Sequence, residues 1–260
     1  MGVVSDPGRD LWEGDAVRFS LLDEGSFRFA CHPEVPCFNE CCADLRLVLT
    51  PYDVLRMKNA LGMGSGEFLE RYTVPVFDSG SPFPMLRLKM EEAGRRPCPF
   101  VREEGCLIYQ DRPGACRLYP VGRGASAAGA QGVARELYFL VREDHCKGFE
   151  QSRHWSLQEW LEDQGVAEFN EMNHPWMEIV TSRSPRLKNL NTQSLGMFQM
   201  ASYDLDRFRD FVFKTKFLKR FHIPEEQVEQ ARKDDVALML LAMKWLKFAL
   251  LGEMSLGLRT

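Results

Sequence analysis

The chain has no long apolar run. The longest, Val236 to Met243, is followed at once by Lys244 and soon by Lys247, too short and too charged to span a bilayer. No basic stretch followed by an apolar one stands in Met1-Gly2-Val3-Val4-Ser5-Asp6-Pro7, so no signal peptide is expected. Asp6 also occupies the place where a myristoylation signal needs Ser or Thr. The expectation is a soluble, cytoplasmic protein. A basic excess is missing too: 33 Lys plus Arg against 37 Asp plus Glu give a net charge of -4, which argues against general nucleic-acid binding. Catalytic signatures are equally scarce. There is no Gly-x-Ser-x-Gly elbow and no His-Glu-x-x-His helix. His154, His174 and His222 form no spaced metal pair. The glycine-rich stretch Gly122 to Gly132 lacks the Gly-Lys-Ser/Thr ending of a phosphate loop and the spacing of a dinucleotide fingerprint, and it reads as a mobile hairpin tip or loop. A radical-AdoMet motif starting at Cys37-x3-Cys41 needs a third cysteine at 44, where Asp44 stands.

What is present is an ordinary globular composition, 45% hydrophobic and 27% charged over 260 residues, enough for one large domain or two small ones. The unusual feature is eight cysteines, at 31, 37, 41, 42, 98, 106, 116 and 146, with none beyond. In the compartment expected, many cysteines mean metal or redox chemistry more often than disulfides. Their distribution predicts an N-terminal extension over 1–26, a cysteine-cluster metal-binding domain over 27–150 and a helical region over 151–260.

Within the second of these, Leu45 to Leu49, Met85 to Met90 and Glu136 to Val141 alternate like strands of a small antiparallel sheet. Thr50-Pro51-Tyr52-Asp53 opens a helix: Thr suits the N-cap, Pro the first position, and Asp three residues on completes a capping box. Gly62 and Gly64 end it. Ser65 is expected to cap a short helix over 67–72. In the last region Ser156 caps a helix to about Glu171, Tyr203 to Phe221 is amphipathic, and Pro224 starts a long helix to about Leu251. That helix is apolar nearly all round beyond Val236, as a buried helix is. Asp204, Asp206, Asp234 and Asp235 read as helix-end or solvated charges.

The thiols form two runs, Cys31-x5-Cys37-x3-Cys41-Cys42 and Cys98-x7-Cys106-x9-Cys116, with Cys146 apart. Eight thiols suffice for two four-thiolate sites, and the sequence does not say which thiols share one. Buried structural cysteine explains one or two of them, not eight. Zinc favours Cys-x2–4-Cys knuckles, and only Cys37-x3-Cys41 and Cys37-x4-Cys42 have that spacing. An iron–sulfur cluster tolerates wider spacing, and proline flanks Cys98 on both sides as it does beside ferredoxin ligands. Arg95, Arg96, Arg112 and Arg117 crowd the second run, where cations lower thiol pKa and offset thiolate charge. Otherwise they pair with Asp111, Glu103 and Glu104 on the surface. His32 and His145 adjoin cysteines and read as neighbours of the site rather than ligands.

These residues carry a resemblance. Phe29-Ala-Cys31, Cys37-Phe-Asn-Glu-Cys41-Cys42, Leu49-Thr-Pro-Tyr-Asp53-Val-Leu-Arg56, Cys98-Pro-Phe, Cys106-Leu-Ile-Tyr109-Gln-Asp-Arg112-Pro113-Gly-Ala-Cys116-Arg117-Leu-Tyr-Pro120 and His145-Cys146-Lys-Gly148 together resemble the YkgJ-type cysteine-cluster family, a zinc- or iron-chelating domain. The likeness covers roughly 27–148, and flagellin lysine methylases look similar around the same cysteines. It implies metal or cluster binding at these thiols and assigns Arg112, Pro113 and Arg117 to the architecture of the ligand loop.

The sequence therefore predicts an α+β fold, a small antiparallel sheet and helices around a cysteine-ligated metal site, followed by helices. The metal ligands expected are Cys31, Cys37, Cys41, Cys42, Cys98, Cys106, Cys116 and Cys146. The cofactor expected is an iron–sulfur cluster, 4Fe–4S and one or two in number, with zinc as the alternative. The corresponding functions are electron transfer or redox-linked protein modification with a protein partner, a zinc-stabilised interaction module without catalysis, or a methylase-like protein lysine methyltransferase.

Overall fold

Thr50 takes extended backbone and its Oγ1 accepts the Asp53 N–H at 3.3 Å, while the Asp53 carboxylate accepts the Thr50 N–H at 2.9 Å. Both halves of the capping box are thus made, Pro51 fills the first turn, and the helix Pro51–Ala60 follows. It stops where Gly62 turns left-handed at φ 63°, a conformation that costs glycine nothing.

The computed structural model describes residues 17–22, 25–77, 81–125 and 136–259. The fold is α+β, with small antiparallel sheets and ten α-helices among the described residues. None of those helices is long and apolar enough to cross a membrane. The chain packs as two units, each made of two stretches of sequence.

The first unit joins the chain up to Glu40 with Leu118–Trp160. Glu136–Glu143 is the central strand of three, between Val17–Leu21 and Val121–Ala125. Phe19 pairs with Val141 and Gly122 with Phe139. Gly122 is required there, because a Cβ would fall 2.2 Å from the Phe139 ring. A two-stranded ladder sets Phe27 opposite Trp155. The core is aromatic: Phe29 meets Trp160, Phe149 and Tyr119 edge-on at ring separations of 5.6, 5.3 and 6.0 Å. Such pairs add about 0.5–1.5 kcal/mol each beyond the area they bury. The indole N–H groups donate inward, Trp155 to Phe29 O at 2.8 Å and Trp160 to Leu118 O at 2.9 Å.

The second unit joins Cys41–Arg117 with Leu161–Thr260. Its three-stranded sheet runs Val48–Leu49, Pro84–Leu88, Thr73–Phe77. Leu49, Met57, Phe68, Phe83, Phe198, Phe208, Leu238 and Leu246 are fully buried in one apolar core, with Phe83 stacked on Phe198 at 4.1 Å. Buried Lys58 is neutralised by Asp235 at 2.9 Å, and Arg209 bonds the same carboxylate.

Several expected elements are shorter or broken. The strand expected from Leu45 covers only Val48–Leu49, because the preceding chain is engaged in a loop: Ala43 bridges Pro97 and the Asp44 N–H donates to Arg96 O at 2.9 Å. The helix expected from Glu67 starts at Ser65 with Gly64 as N-cap, and Ser65 instead donates to the carboxylates of Asp204 and Asp206 at 2.6 and 2.7 Å. The helix expected from Ser156 to Glu171 is two, Leu157–Asp163 and Val166–Val180, parted at left-handed Gly165. The long C-terminal helix breaks at Asp234, whose carboxylate caps Val236 N and Ala237 N at 3.1 Å. Asp competes with helix interiors for this reason. Tyr203 to Phe221 likewise holds Leu205–Lys214 and Phe217–Arg220, with Asp204 capping the first. Gly122 to Ala125 belong to a strand rather than a loop. The remainder of that expected loop, and the readings made on 1–7, fall outside the described residues.

The boundaries expected at 26/27 and 150/151 follow cysteine content, whereas packing follows apolar surface. Val17–Leu21 of the expected extension is a sheet strand. The helices beyond Leu161 share one core with 41–117.

Candidate metal centre

The unit boundary falls between Glu40 and Cys41, inside the first cysteine run. Cys31, Cys37 and Cys146 belong to the first unit, and Cys41, Cys42, Cys98, Cys106 and Cys116 to the second. No disulfide joins any of the eight.

In the first unit Gly148 brings two segments together. A Cβ on it would stand 2.5 Å from the Phe29 ring and 2.9 Å from Ala30 O. The close approach lets the Ala30 N–H donate to Gly148 O at 3.1 Å, which ties the backbone beside Cys31 to the backbone beside Cys146. The Lys147 N–H then donates to the Cys37 sulfur at 3.0 Å. The Tyr119 hydroxyl donates to Glu143 at 2.9 Å and also bonds Cys146. Burial first, then the Cys146 bond, push the phenol well above its usual range, so it stays a proton donor. His32 is half-buried with Nδ1 3.9 Å from Glu34, and His145 Nε2 is 3.7 Å from Glu143.

In the second unit the Cys98 N–H donates to Cys42 O at 2.8 Å. Cys106 sits on a two-residue strand, Gly105–Cys106, paired with Val101–Arg102. Cys116 lies on the short helix Gly114–Leu118. Burial pushes the Cys116 thiol up most, and Cys98, Asp53, Cys106 and Cys41 push it further. Burial also raises Cys98 and Cys106. Acting against it, the Phe100 and Val101 N–H groups bond the Cys98 sulfur, the Ile108 N–H bonds Cys106, and Arg102 and Arg112 face Cys106. Donors aimed at sulfur and cations nearby favour the thiolate a metal needs.

Three arginines and one carboxylate build this loop. Arg112 donates to Tyr109 O and Gln164 Oε1, both at 2.6 Å, with its guanidinium 3.7 Å above the Tyr109 ring. Arg117 donates to Gln110 O and, at 3.0 Å, to Gln164 O, and lies over Phe169. Both are buried, and they bond backbone carbonyls as expected of ligand-loop architecture. The ion pair to Asp111 is made by Arg56, at 2.7 Å, not by the arginines nearest the cysteines. Arg96 pairs with Asp44 at 2.9 Å. Sequence reasoning missed Gln164, Tyr119 at Cys146, and the second bond of Asp53. Its free oxygen accepts the Gly114 N–H at 2.8 Å. The capping motif marked Asp53, but nothing local points to a partner 61 residues away.

Among the described residues, no three side chains of His, Cys, Asp or Glu are grouped so as to hold a metal ion as they stand. The donor chemistry nevertheless fits a thiolate-ligated metal: Cys41, Cys98, Cys106 and Cys116 share one electrostatic neighbourhood, with N–H donors on two of the sulfurs and arginines beside them.

Comparison with known proteins agrees with that chemistry. Residues 30–154 match the model of the family described as "CxxCxxCC: Putative zinc- or iron-chelating domain". The matched segment is similar to that family. The role described for that family is metal chelation, with zinc and iron both admitted. The match takes in all eight cysteines, and it spans both units, ending just short of the helices that complete the second core. No curated protein and no solved structure matches the chain.

Proposed function

We propose that Cys31, Cys37, Cys41, Cys42, Cys98, Cys106, Cys116 and Cys146 bind iron–sulfur clusters, and that the protein works in electron transfer or redox-linked modification of a protein partner. The observation that carries this reading is that backbone N–H groups bond the sulfurs of Cys98 and Cys106, on a loop and a strand, with Cys116 on a short helix and within electrostatic reach of both. Gaps of seven and nine residues within 98–116 exceed zinc-knuckle spacing, whereas a cluster several Å across is gripped from separate elements. A bound cluster supplies one-electron exchange. The chain's part is to hold the sulfurs as thiolates, to tune them through the N–H donors, and to keep the loop rigid through Arg112 and Arg117.

Metal and acid-labile sulfide analysis of the full chain, purified without oxygen, tests the proposal. Brown protein with iron and sulfide in equal amounts, bleached by oxidation, is the expected result. Colourless protein carrying zinc and no sulfide would replace this reading with the zinc-stabilised interaction module.

A further inference from the structure

We infer that Asp53 is a positioning residue of the metal centre, coupling the seating of Cys116 to the core helix Pro51–Ala60. The inference rests on the reading above, that the cysteines bind metal.

Its two carboxylate oxygens do separate jobs. Oδ2 accepts from Thr50 N and Thr50 Oγ1, at 2.9 and 2.6 Å, and completes the helix cap. Oδ1 is not needed for that cap and accepts the Gly114 N–H at 2.8 Å. Gly114 opens the short helix on which Cys116 stands two residues later. One buried side chain, 2% exposed, therefore fastens the start of the ligand-bearing turn to a helix whose Val54, Leu55 and Met57 are set in the core. Hydrogen bonds behind a ligand fix its orientation, and losing one costs metal affinity.

Gln at this position also closes a capping box, so the cap by itself does not account for a second side-chain oxygen that accepts the Gly114 N–H.

Four variants of the full chain, titrated with cobalt(II) under reducing conditions, separate this role from ordinary helix capping. Cobalt affinity is read from the sulfur-to-metal absorption band and folding from the melting temperature. Asp53→Ala should weaken cobalt binding by about 10- to 100-fold. Gly114→Pro, which replaces the donated N–H by a ring carbon facing Asp53 at a helix-opening position where proline is tolerated, should do the same. Gly114→Ala keeps the donor, and its Cβ has 3.5 Å to the nearest atom, on Phe169; it should bind like the wild type. Thr50→Ala breaks the cap but spares the Gly114 bond, so it should lower the melting temperature and leave affinity within about twofold. Wild-type affinity in Gly114→Pro, or equal affinity losses in Thr50→Ala and Asp53→Ala, would overturn the inference. Failure of the wild type itself to bind cobalt through sulfur would instead overturn the metal-centre reading, and this inference with it.

Discussion

The two units hold their cysteines by different means. In the first, Cys31, Cys37 and Cys146 ride on short turns stitched by backbone bonds and a glycine contact, above a small aromatic cluster. In the second, Cys41, Cys98, Cys106 and Cys116 stand beside loops locked by Arg56, Arg112, Arg117 and Asp53, and these loops are backed by a large apolar core. The difference teaches that one residue type is carried in two kinds of setting. One is held by local packing, the other by charged side chains reaching across long sequence distances. A metal bound in the second unit would have a large apolar core behind its loops.

The largest effect that can break this comparison comes from the core. Phe208→Ala, at a fully buried position, should destabilise the second unit by about 3–5 kcal/mol, measured by chemical denaturation. Protease resistance of the first unit should be less affected. Simultaneous and equal loss of both would mean that the units fold as one cooperative block.

Next comes the glycine contact. Gly148→Ala forces a Cβ against the Phe29 ring and Ala30 O, and overpacking of this kind costs about 1–3 kcal/mol. Proteolysis within the first unit should accelerate, while cobalt bound to the second unit keeps its spectrum. An unchanged proteolytic pattern would show that the turn has slack the contacts do not suggest.

Asp234→Ala should cost about 1 kcal/mol, the usual worth of an N-cap, seen as a lower melting temperature of the second unit. No change would mean that the break before Asp235–Leu246 is set by packing rather than by the carboxylate.

The smallest effect is electrostatic. Burial works to raise the Asp235 carboxyl, but the hydrogen bonds and charges of Lys58 and Arg209 outweigh it and hold it below the usual range. A carboxyl depressed in the folded state adds stability that is fully present above its unfolded pKa of about 3.9 and is lost as pH falls through the lower folded value. Stability of the second unit should therefore drop on acidification below about pH 4, and Asp235→Asn should flatten that part of the profile. In the first unit the pair Arg18–Asp144 is solvent-exposed, and breaking it with Asp144→Asn should cost at most about 1 kcal/mol, read from chemical denaturation.

How far the sequence disclosed all this varies by element. The Thr50 cap, the strand Glu136 onward and the α+β class were legible because local chemistry decides them. The breaks at Gly165 and Asp234 were not, since a helical apolar pattern runs straight through both and only the cap bonds reveal the interruption. The grouping of thiols was beyond sequence reasoning. Cys41 and Cys42 belong to the first run in the chain, yet Cys42 bonds a segment more than 50 residues on, through the Cys98–Cys42 backbone bond. The boundary suggested by cysteine content follows composition, and the apolar faces that decide packing belong to both sides of it. The assignment of Arg112 and Arg117 to loop architecture came from the family resemblance, and both do bond backbone carbonyls.

The most direct test of the central claim is X-ray absorption at the edge of the metal found in the anaerobically purified full chain. A first shell of sulfur only is the expected result, with iron–iron scattering behind it as a cluster requires. A first shell of nitrogen and oxygen, or metal content unchanged when Cys98, Cys106 and Cys116 are all replaced by serine, would contradict it.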